Sequence, residues 1–215
     1  MKNIWGRNEL TFETPCVGEP CKDVPRNPGN FERDRPPQFM ETVDNRIYFY
    51  ASIYSDKTLQ LNKTIRELSN RHLVESKQRG QEFVSPIYLN VYSYGGEIIA
   101  GLSCMDEILA CPVPLYTVVD GCCASAGTFL SVVGKKRYIK RNAFMLIHQL
   151  SSSMWGKYNE FQDEMKNLDM MMNIIKDIYS KYTKVPMEKV DEILKHDIFW
   201  TAEQCLEYGL VDEIL

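Results

Sequence analysis

One short stretch of the chain, DGCCASAGTFL at residues 120–130, surrounds a single hydroxyl with very small side chains. The hydroxyl belongs to Ser125, which follows an apolar run and precedes a short helical pattern. A serine at such a junction is exposed by the turn, and a helix N-terminus stabilises negative charge beside it. Gly121 and Gly127 let another backbone come close. Ser125 is therefore a candidate nucleophile, although close packing explains most serines in such surroundings.

A histidine and a glycine pair have the properties that a serine nucleophile needs in its partners. His148, in FMLIHQL, ends an apolar strand pattern and can act as a general base if it reaches the hydroxyl. Gly95 and Gly96, in YSYGGEI, lie where a strand gives way to a helix, and free N–H groups at such a turn bind an oxyanion. The simpler alternatives are a structural histidine and an ordinary turn. His72, on a helical pattern, is interpreted as a packing or surface residue.

A serine–histidine pair also needs an acid that orients the imidazole and stabilises its charged form. The chain has 29 acidic residues, and their properties alone do not select one. Asp197, in HDIFWTAEQ, lies between two helical segments, where a side chain can point back into a cleft. Other chemistries have less support, because the chain has no GxGxxG, Walker or GxSxG pattern and no paired CxxC spacing for zinc.

Composition excludes several classes of function. The chain has 215 residues, of which 44% are hydrophobic and 25% charged, as is usual for a soluble globular protein. A net charge of −4 gives no electrostatic support for a nucleic-acid partner. No apolar run is long enough for a membrane span, and the first residues lack the apolar core of a signal peptide. Seven scattered cysteines indicate reduced thiols in the cytoplasm or an equivalent reducing compartment, with a Cys16–Cys21 disulfide or metal pair as the weaker alternative.

Strand and helix patterns alternate over most of the chain. Residues 1–40 are rich in proline and predict an extended or partly disordered arm, whereas residues 41–215 predict one folded domain. Strands are expected at 45–54, 85–93 and 113–120, with two short ones within 136–149. The expected helices are one capped by Asp56, three at 95–110, 125–133 and 157–183, one with Pro186 in its first turn, and one that follows the Thr201–Gln204 capping box and ends at Gly209. This alternation predicts an α/β fold of βαβ units, with helices on both faces of the sheet.

The helix expected at 157–183 has an unusually narrow apolar seam. Its apolar residues follow a 4-3-4-3 spacing: Phe161, Met165, Leu168, Met172, Ile175, Tyr179 and Tyr182. Such a seam is typical of a helix that packs against one other helix. The spacing leaves two alternatives equally open, a helix that projects from the domain and an ordinary core helix.

Four segments together resemble the Clp protease proteolytic subunit family. SYGGEIIAG, DGCCASAGTFL, LIHQ and DIFWTAEQCLEYGLVDEI occur in the order and approximate spacing of that family, and the resemblance runs from about Arg46 to the C-terminus. It implies a crotonase-like α/β fold of stacked βαβ units with a projecting handle helix, and residues 157–183 stand in the handle's place.

The resemblance also implies a function and a site. Ser125 would be the nucleophile, His148 the general base and Asp197 the third member of the triad, with the backbone N–H groups of Gly96 and Ala126 as the oxyanion hole. The chain would be a serine endopeptidase that hydrolyses unfolded polypeptides inside two stacked seven-membered rings. An ATP-dependent AAA+ unfoldase would feed the chamber, and this chain would itself use no cofactor or metal.

Two other functions remain open at this stage. A catalytically weak or inactive structural or regulatory subunit of such a ring is the main alternative, because the chain departs from the family pattern. An acyl-CoA enzyme of the wider crotonase group is less favoured, because it needs no serine–histidine–aspartate set.

The departures affect the surroundings of the site. SYGG at residues 93–96 replaces the family's Ser-Pro-Gly-Gly, and Leu150 stands where a proline is common. Ala126 replaces a bulkier residue, so we expect a different wall in the specificity pocket. Residues 1–40 match nothing of the family's axial loops, and the chain ends soon after its last helical pattern. We therefore expect reduced surfaces for docking an unfoldase.

Overall fold

The computed structural model describes residues 38–80 and 84–215 of the chain. The arm predicted at residues 1–40 lies almost entirely outside these residues. The described strands are β1 (Phe39–Val43), β2 (Arg46–Tyr50), β3 (Ile87–Ser93), β4 (Leu115–Ala124), β5 (Lys136–Ile139), β6 (Phe144–Leu146) and β7 (Glu213–Ile214). The described helices are α1 (Ser55–Gln78), α2 (Ile98–Ala110), α3 (Gly127–Val132), α4 (Tyr158–Tyr182), α5 (Met187–Leu194) and α6 (Ala202–Glu207).

The strands form one mixed sheet in the order β1-β2-β3-β4-β5-β7, and β6 pairs with β4. Among the strands of the described residues, β1 and β2 pair antiparallel and the other pairs are parallel. Parallel neighbours require crossover connections, and α1 and α2 supply the first two. The α/β fold predicted from the alternation of strand and helix patterns is therefore confirmed.

β4 is the strand on which the other parts of the sheet converge. Its ten residues pair with β3 along one side, while the other side pairs first with β5 and then with β6. The changeover falls between Val119, which pairs with β5, and Cys122, which pairs with β6. The sequence predicted only the first part of β4, because Asp120 and Gly121 interrupt its apolar pattern.

The core lies between the sheet and its helices and follows the two-residue period of the strands. Ile47 and Phe49 on β2 and Leu89 and Val91 on β3 are completely buried. Two short strands at the edges, β1 and β7, were not predicted. β1 is mostly exposed, so it has no apolar alternation, and β7 has only two residues.

α4 is packed at one end and exposed at the other. Its buried residues, Ile175, Ile178 and Tyr179, all lie in its C-terminal half. In the other half, Phe161 is 42% exposed and Met165 is 56% exposed, although both belong to the predicted seam. The N-terminal half of α4 therefore projects from the domain, which decides between the two alternatives left open by the spacing.

The capping residues predicted from the sequence are correct for some helix ends and wrong for others. The capping box is present: the Thr201 hydroxyl accepts from the Gln204 N–H and the Gln204 side chain accepts from the Thr201 N–H. Gly209 follows the end of α6 with φ 65°, as expected of a glycine at a helix C-terminus. The prediction that Asp56 caps α1 is wrong, because the helix begins one residue earlier and Tyr54 is its N-cap. Pro186 is likewise the N-cap of α5 and not its first helical residue.

The ion pair of Arg137 with Asp212 helps to join β5 to the C-terminal segment. Arg137 donates to the Asp212 carboxylate through its backbone N–H, at 2.9 Å, and through its guanidinium. The guanidinium also donates to the carbonyl groups of Tyr182 and Gly209. Burial alone would raise the pKa of Asp212, but the hydrogen bonds and charge of Arg137 hold it below its ordinary value. This cluster therefore ties the ends of α4 and α6 to the sheet.

Asp212→Asn should lower the free energy of unfolding by about 2 kcal/mol near neutral pH, because the mostly buried Arg137 guanidinium loses its charged acceptor. The pKa of Asp212 is lower in the folded than in the unfolded state. The stabilisation is therefore complete above the ordinary carboxyl pKa of about 4 and is lost as the pH falls through the folded-state value. Urea unfolding of wild type and variant across this pH range measures the effect. A difference that does not shrink in acid would contradict this account.

Candidate active site

Two neighbouring strands bring the candidate nucleophile and the candidate base to one edge of the sheet. Ala124, the last residue of β4, pairs with Leu146, the last residue of β6, and the N–H of Ser125 donates to the Leu146 carbonyl at 2.8 Å. Ser125 follows Ala124 directly, and His148 follows Leu146 by two residues. Because the strands are parallel, both side chains leave the sheet at its carboxyl edge.

Ser125 has a backbone conformation that few residues other than glycine adopt. Its φ is +53°, in the left-handed region, and its side chain is partly exposed. Its carbonyl accepts two hydrogen bonds from Thr128, one from the N–H at 2.9 Å and one from the hydroxyl at 2.6 Å. These bonds stabilise the sharp turn between β4 and α3, in which Ser125 lies just beyond the end of the strand.

His148 is bonded to the predicted acid. Its Nδ1 lies 2.8 Å from Oδ1 of Asp197. A carboxylate can only accept, so Nδ1 carries the proton and the neutral ring keeps Nε2 as a free acceptor. His148 is 24% exposed and Asp197 is 64% exposed, so the pair lies at the surface of the domain. This tautomer is the one that a general base requires.

Backbone bonds on both sides of His148 hold the segment that carries Asp197. Met145 and Trp200 exchange two hydrogen bonds, at 2.7 and 3.1 Å. On the other side, the N–H of Gln149 donates to the carbonyl of Leu194 at 2.7 Å. Asp197 lies between Leu194 and Trp200, and these two attachments place it opposite the imidazole.

The Gly95–Gly96 loop presents an unused backbone N–H group. Ile53 donates to the carbonyl of Gly95 at 2.9 Å and accepts from the N–H of Glu97 at 2.8 Å. In a parallel bridge of this kind, the residue between the two bonded groups turns its own N–H away from the partner strand. Gly96 is that residue, and it is exposed. A Cβ atom at Gly96 would overlap the Ile53 carbonyl, so the position needs glycine.

The glycine loop lies directly against the turn that carries Ser125. A Cβ atom placed on Gly95 would lie 2.6 Å from Cβ of Ser125 and 3.1 Å from the amide nitrogen of Ala126. Within the described part of the chain, the N–H groups of Gly96 and Ala126 donate to no other backbone group. The glycine loop therefore packs against the turn that carries Ser125, and His148 follows the neighbouring strand β6 by two residues.

Comparison with known proteins identifies the family of the chain. The sequence profile of the Clp protease family matches residues 42–215. The chain belongs to the Clp protease family. The ATP-dependent Clp protease proteolytic subunit of Deinococcus radiodurans is 31% identical over 145 residues, which are 66% of this chain and 69% of the relative. A mutant of ClpP1 from Listeria monocytogenes has a similar fold, with a TM-score of 0.68 at 22% identity over 80% of this chain and 91% of that one.

Membership of the Clp protease family assigns the chain to a class of proteolytic subunits with a crotonase-like fold, and this confirms the resemblance seen in the sequence. No described helix is long and apolar enough to cross a membrane. Among residues 38–80 and 84–215 there is no cluster of histidine, cysteine and acidic side chains that could hold a metal ion.

Two departures from the family pattern are accommodated next to the site. Tyr94 packs in a small cluster with Tyr92 and the ends of β4 and β6, with 5.9 Å between the two tyrosine rings. The N–H of Leu150 donates to Sδ of Met172 at 3.4 Å, a bond that proline cannot make. Tyr94 and Leu150 therefore both have packing or hydrogen-bond partners, and the glycine loop still lies against Ser125.

Two residues in contact with the site were not identified from the sequence. The Thr128 hydroxyl bonds the Ser125 carbonyl and lies 2.7 Å from the hydroxyl of Tyr179, on α4. Only the position of Thr128, three residues after the serine, is a local signal. Tyr179 is 51 residues further along the chain, and the sequence marks it only as one apolar position of the seam.

Gly95→Ala should reduce peptide hydrolysis by about 100-fold or more, because the new Cβ pushes Ser125 and the Ala126 amide from their places. Gly80→Ala is the matched control. Gly80 also has a positive φ, +62°, but has open space around its Cβ position. This control should lose stability and keep its activity. Equal activity of the two variants in a fluorogenic peptide assay would show that the contact between the loop and the turn is unimportant.

Proposed function

We propose that the chain is a serine endopeptidase that hydrolyses unfolded polypeptides, with Ser125 as nucleophile, His148 as general base and Asp197 as the orienting acid. The observation that carries the proposal is the 2.8 Å bond from His148 Nδ1 to Asp197, which leaves Nε2 as an acceptor on a residue that closely follows β6, the strand paired with the end of β4. The exposed N–H of Gly96 and the N–H of Ala126 are the proposed oxyanion hole.

In the acylation step, the Ser125 hydroxyl oxygen attacks the peptide carbonyl carbon while Nε2 of His148 takes the hydroxyl proton. The carbonyl oxygen becomes an oxyanion, which accepts hydrogen bonds from Gly96 and Ala126. When the intermediate collapses, the C–N bond breaks and His148 gives its proton to the leaving amine. Asp197 stabilises the imidazolium throughout.

In the deacylation step, water attacks the ester carbonyl of the acyl-enzyme, and His148 takes the water proton. Collapse of the second intermediate returns the proton to Ser125 and releases the carboxyl product. Both steps use only side chains and amides of this chain, so the proposed reaction needs no cofactor or metal ion.

Ser125→Ala should lower the rate of peptide hydrolysis by about 10⁴-fold or more, and Asp197→Asn by about 10⁴-fold, because an asparagine favours the wrong imidazole tautomer. His196→Ala is the control: His196 lies next to Asp197 but contacts the exposed Glu192. It should retain wild-type activity. Hydrolysis of a fluorogenic peptide by the Ser125→Ala variant at the wild-type rate would end the proposal.

A catalytically weak or inert ring subunit is the second candidate, favoured by the high exposure of Asp197 and by Tyr94 in the glycine loop. Reaction with a fluorophosphonate separates the two candidates, because the reagent needs an activated serine. Stoichiometric modification of wild type, lost in Ser125→Ala, would exclude an inert subunit. The absence of any modification of wild type would favour it.

The exposed half of α4 supports a proposal about assembly. Trp155 is 95% exposed and Tyr158 is 75% exposed just before or at the start of the helix, and Phe161 and Met165 continue the apolar surface. Burial of such a surface is worth about 25 cal/mol per Å², so water is an unfavourable environment for it. We propose that it packs against other copies, in two stacked heptameric rings as the family resemblance implies. An AAA+ unfoldase would feed the chamber and use the ATP, as the family resemblance implies; the Deinococcus relative is named as ATP-dependent.

Phe161→Asp should separate the proposed rings, because it introduces a charge into an apolar contact. Asn167→Asp places the same carboxylate on the polar side of the same helix and should leave the assembly intact. Sedimentation velocity measures the result: we expect particles of about half the wild-type mass for the first variant only. Identical particles for both variants, or a wild type that stays monomeric at all concentrations, would contradict this surface.

The cysteines support a reducing compartment such as the cytoplasm. Five cysteines lie among the described residues, and none of these five is in a disulfide bond. Burial raises the pKa of Cys104 and of Cys205 to about 12, so these thiols stay protonated and unreactive near neutral pH. They act as small apolar core residues.

A further inference from the structure

Two hydrogen bonds, both made by the buried hydroxyl of Thr128, connect helix α4 to the turn that carries Ser125. The Thr128 hydroxyl oxygen lies 2.6 Å from the Ser125 carbonyl oxygen and 2.7 Å from the Tyr179 hydroxyl oxygen. A carbonyl can only accept, so the single hydroxyl proton of Thr128 points to Ser125. Tyr179 must then donate to Thr128, and the direction of the chain is from Tyr179 through Thr128 to Ser125.

Tyr179 is a permanent donor in this position. It is 1% exposed, and burial raises the pKa of its hydroxyl far above the ordinary value. The hydroxyl therefore remains protonated near neutral pH. Its ring lies 6.3 Å from that of Phe129, on α3, so packing as well as hydrogen bonding fixes its position.

Because the peptide bond is planar, the hydrogen bonds to the Ser125 carbonyl also fix the direction of the Ala126 N–H. The bond between Ser125 and Ala126 is trans and planar, so its C=O and N–H groups point in opposite directions. The C=O is held by the hydroxyl and the N–H of Thr128. The N–H of Ala126 must then point away from α3. A rotation of this peptide plane would break the bonds to Thr128 and move the amide at the same time.

The turn needs an anchor because it is strained. A positive φ at a residue other than glycine costs on the order of 1–2 kcal/mol, and Ser125 adopts +53°. A buried hydrogen bond contributes about 1 kcal/mol, so the bonds to Thr128 are of the right size to offset this strain. Without them, the turn would relax toward ordinary backbone angles.

We propose that Thr128 and Tyr179 are positioning residues that hold the Ser125–Ala126 peptide plane, so that the Ala126 N–H faces the oxyanion. This inference rests on the proposed function, in which Ala126 is one of the two oxyanion donors. Neither side chain touches the substrate. They act through the backbone, and helix α4 is thereby part of the support of the active site.

Tyr179→Phe removes one oxygen atom and keeps the buried ring. We expect kcat to fall about 10-fold with KM unchanged, because the lost interaction matters only once the oxyanion forms. This is less than the 10²- to 10³-fold effect typical of removing a whole donor, since the Ala126 amide is still present. The measurement is kcat per active site, with sites counted by fluorophosphonate titration.

Variants at Thr128 test whether the hydrogen bonds run from Tyr179 through Thr128 to Ser125. Thr128→Val removes the hydroxyl and keeps the shape, and it should lower kcat at least as much as Tyr179→Phe. Thr128→Ser keeps the hydroxyl and should restore most of the wild-type kcat. The double variant Tyr179→Phe/Thr128→Val should be no slower than Thr128→Val, because Tyr179 acts only through Thr128. An additive loss of kcat in the double variant would show that Tyr179 does not act through Thr128.

Tyr182→Phe is the matched control, the same change one turn later on α4, and it should leave kcat unchanged. A merely structural role would lower the melting temperature or the number of active sites but not kcat per site. An unchanged kcat per site in both Tyr179→Phe and Thr128→Val would overturn this inference and leave the proposed function intact. Full activity of Ser125→Ala would instead overturn the proposed function itself.

Discussion

The parallel pairing of β4 and β6 is the interaction on which the site depends. It aligns Ala124 with Leu146, and the next amide, that of Ser125, completes the ladder on the Leu146 carbonyl. A slip of one residue in this pairing would turn every side chain to the other face of the sheet. The serine and the histidine, 23 residues apart in the chain, would then no longer leave the sheet at the same edge.

The position of β4 is fixed because this strand pairs with three others, β3, β5 and β6. Its first half is fixed between β3 and β5 in the buried centre of the sheet, and only its second half pairs with β6. The pairing of β4 with β3 and β5 therefore also fixes the position of the segment of β4 that leads to Ser125. Catalytic residues commonly lie on such extensions of rigid elements, where packing fixes their geometry.

Small residues and unusual backbone angles allow the two halves of the site to meet. Gly95 and Gly96 have φ values of +94° and +152°, and each approaches a neighbour more closely than a side chain would permit. Ser125 adopts its positive φ only because the backbone of the turn and the hydroxyl of Thr128 hold it there. Local strain of this kind persists where the surrounding structure over-determines it.

Much of the fold followed from sequence periodicity, because the central strands and long helices bury regular apolar patterns. The edge strands β1 and β7 did not, since exposed or two-residue strands leave no pattern. Residue types and spacing identified Ser125, His148 and the glycine pair as candidates. They could not select Asp197, because its position depends on the backbone bonds of Leu194 and Trp200 to distant residues; the family resemblance supplied it. The contact between Thr128 and Tyr179 is also long-range and has no local signal.

A crystal structure of the fluorophosphonate adduct tests the central claim most directly. The account predicts that the reagent is bonded to Ser125 Oγ, that its phosphoryl oxygen lies about 2.7–3.1 Å from the amide nitrogens of Gly96 and Ala126, and that His148 keeps its bond to Asp197. An adduct whose phosphoryl oxygen points to solvent, or whose imidazole has left Asp197, would contradict it.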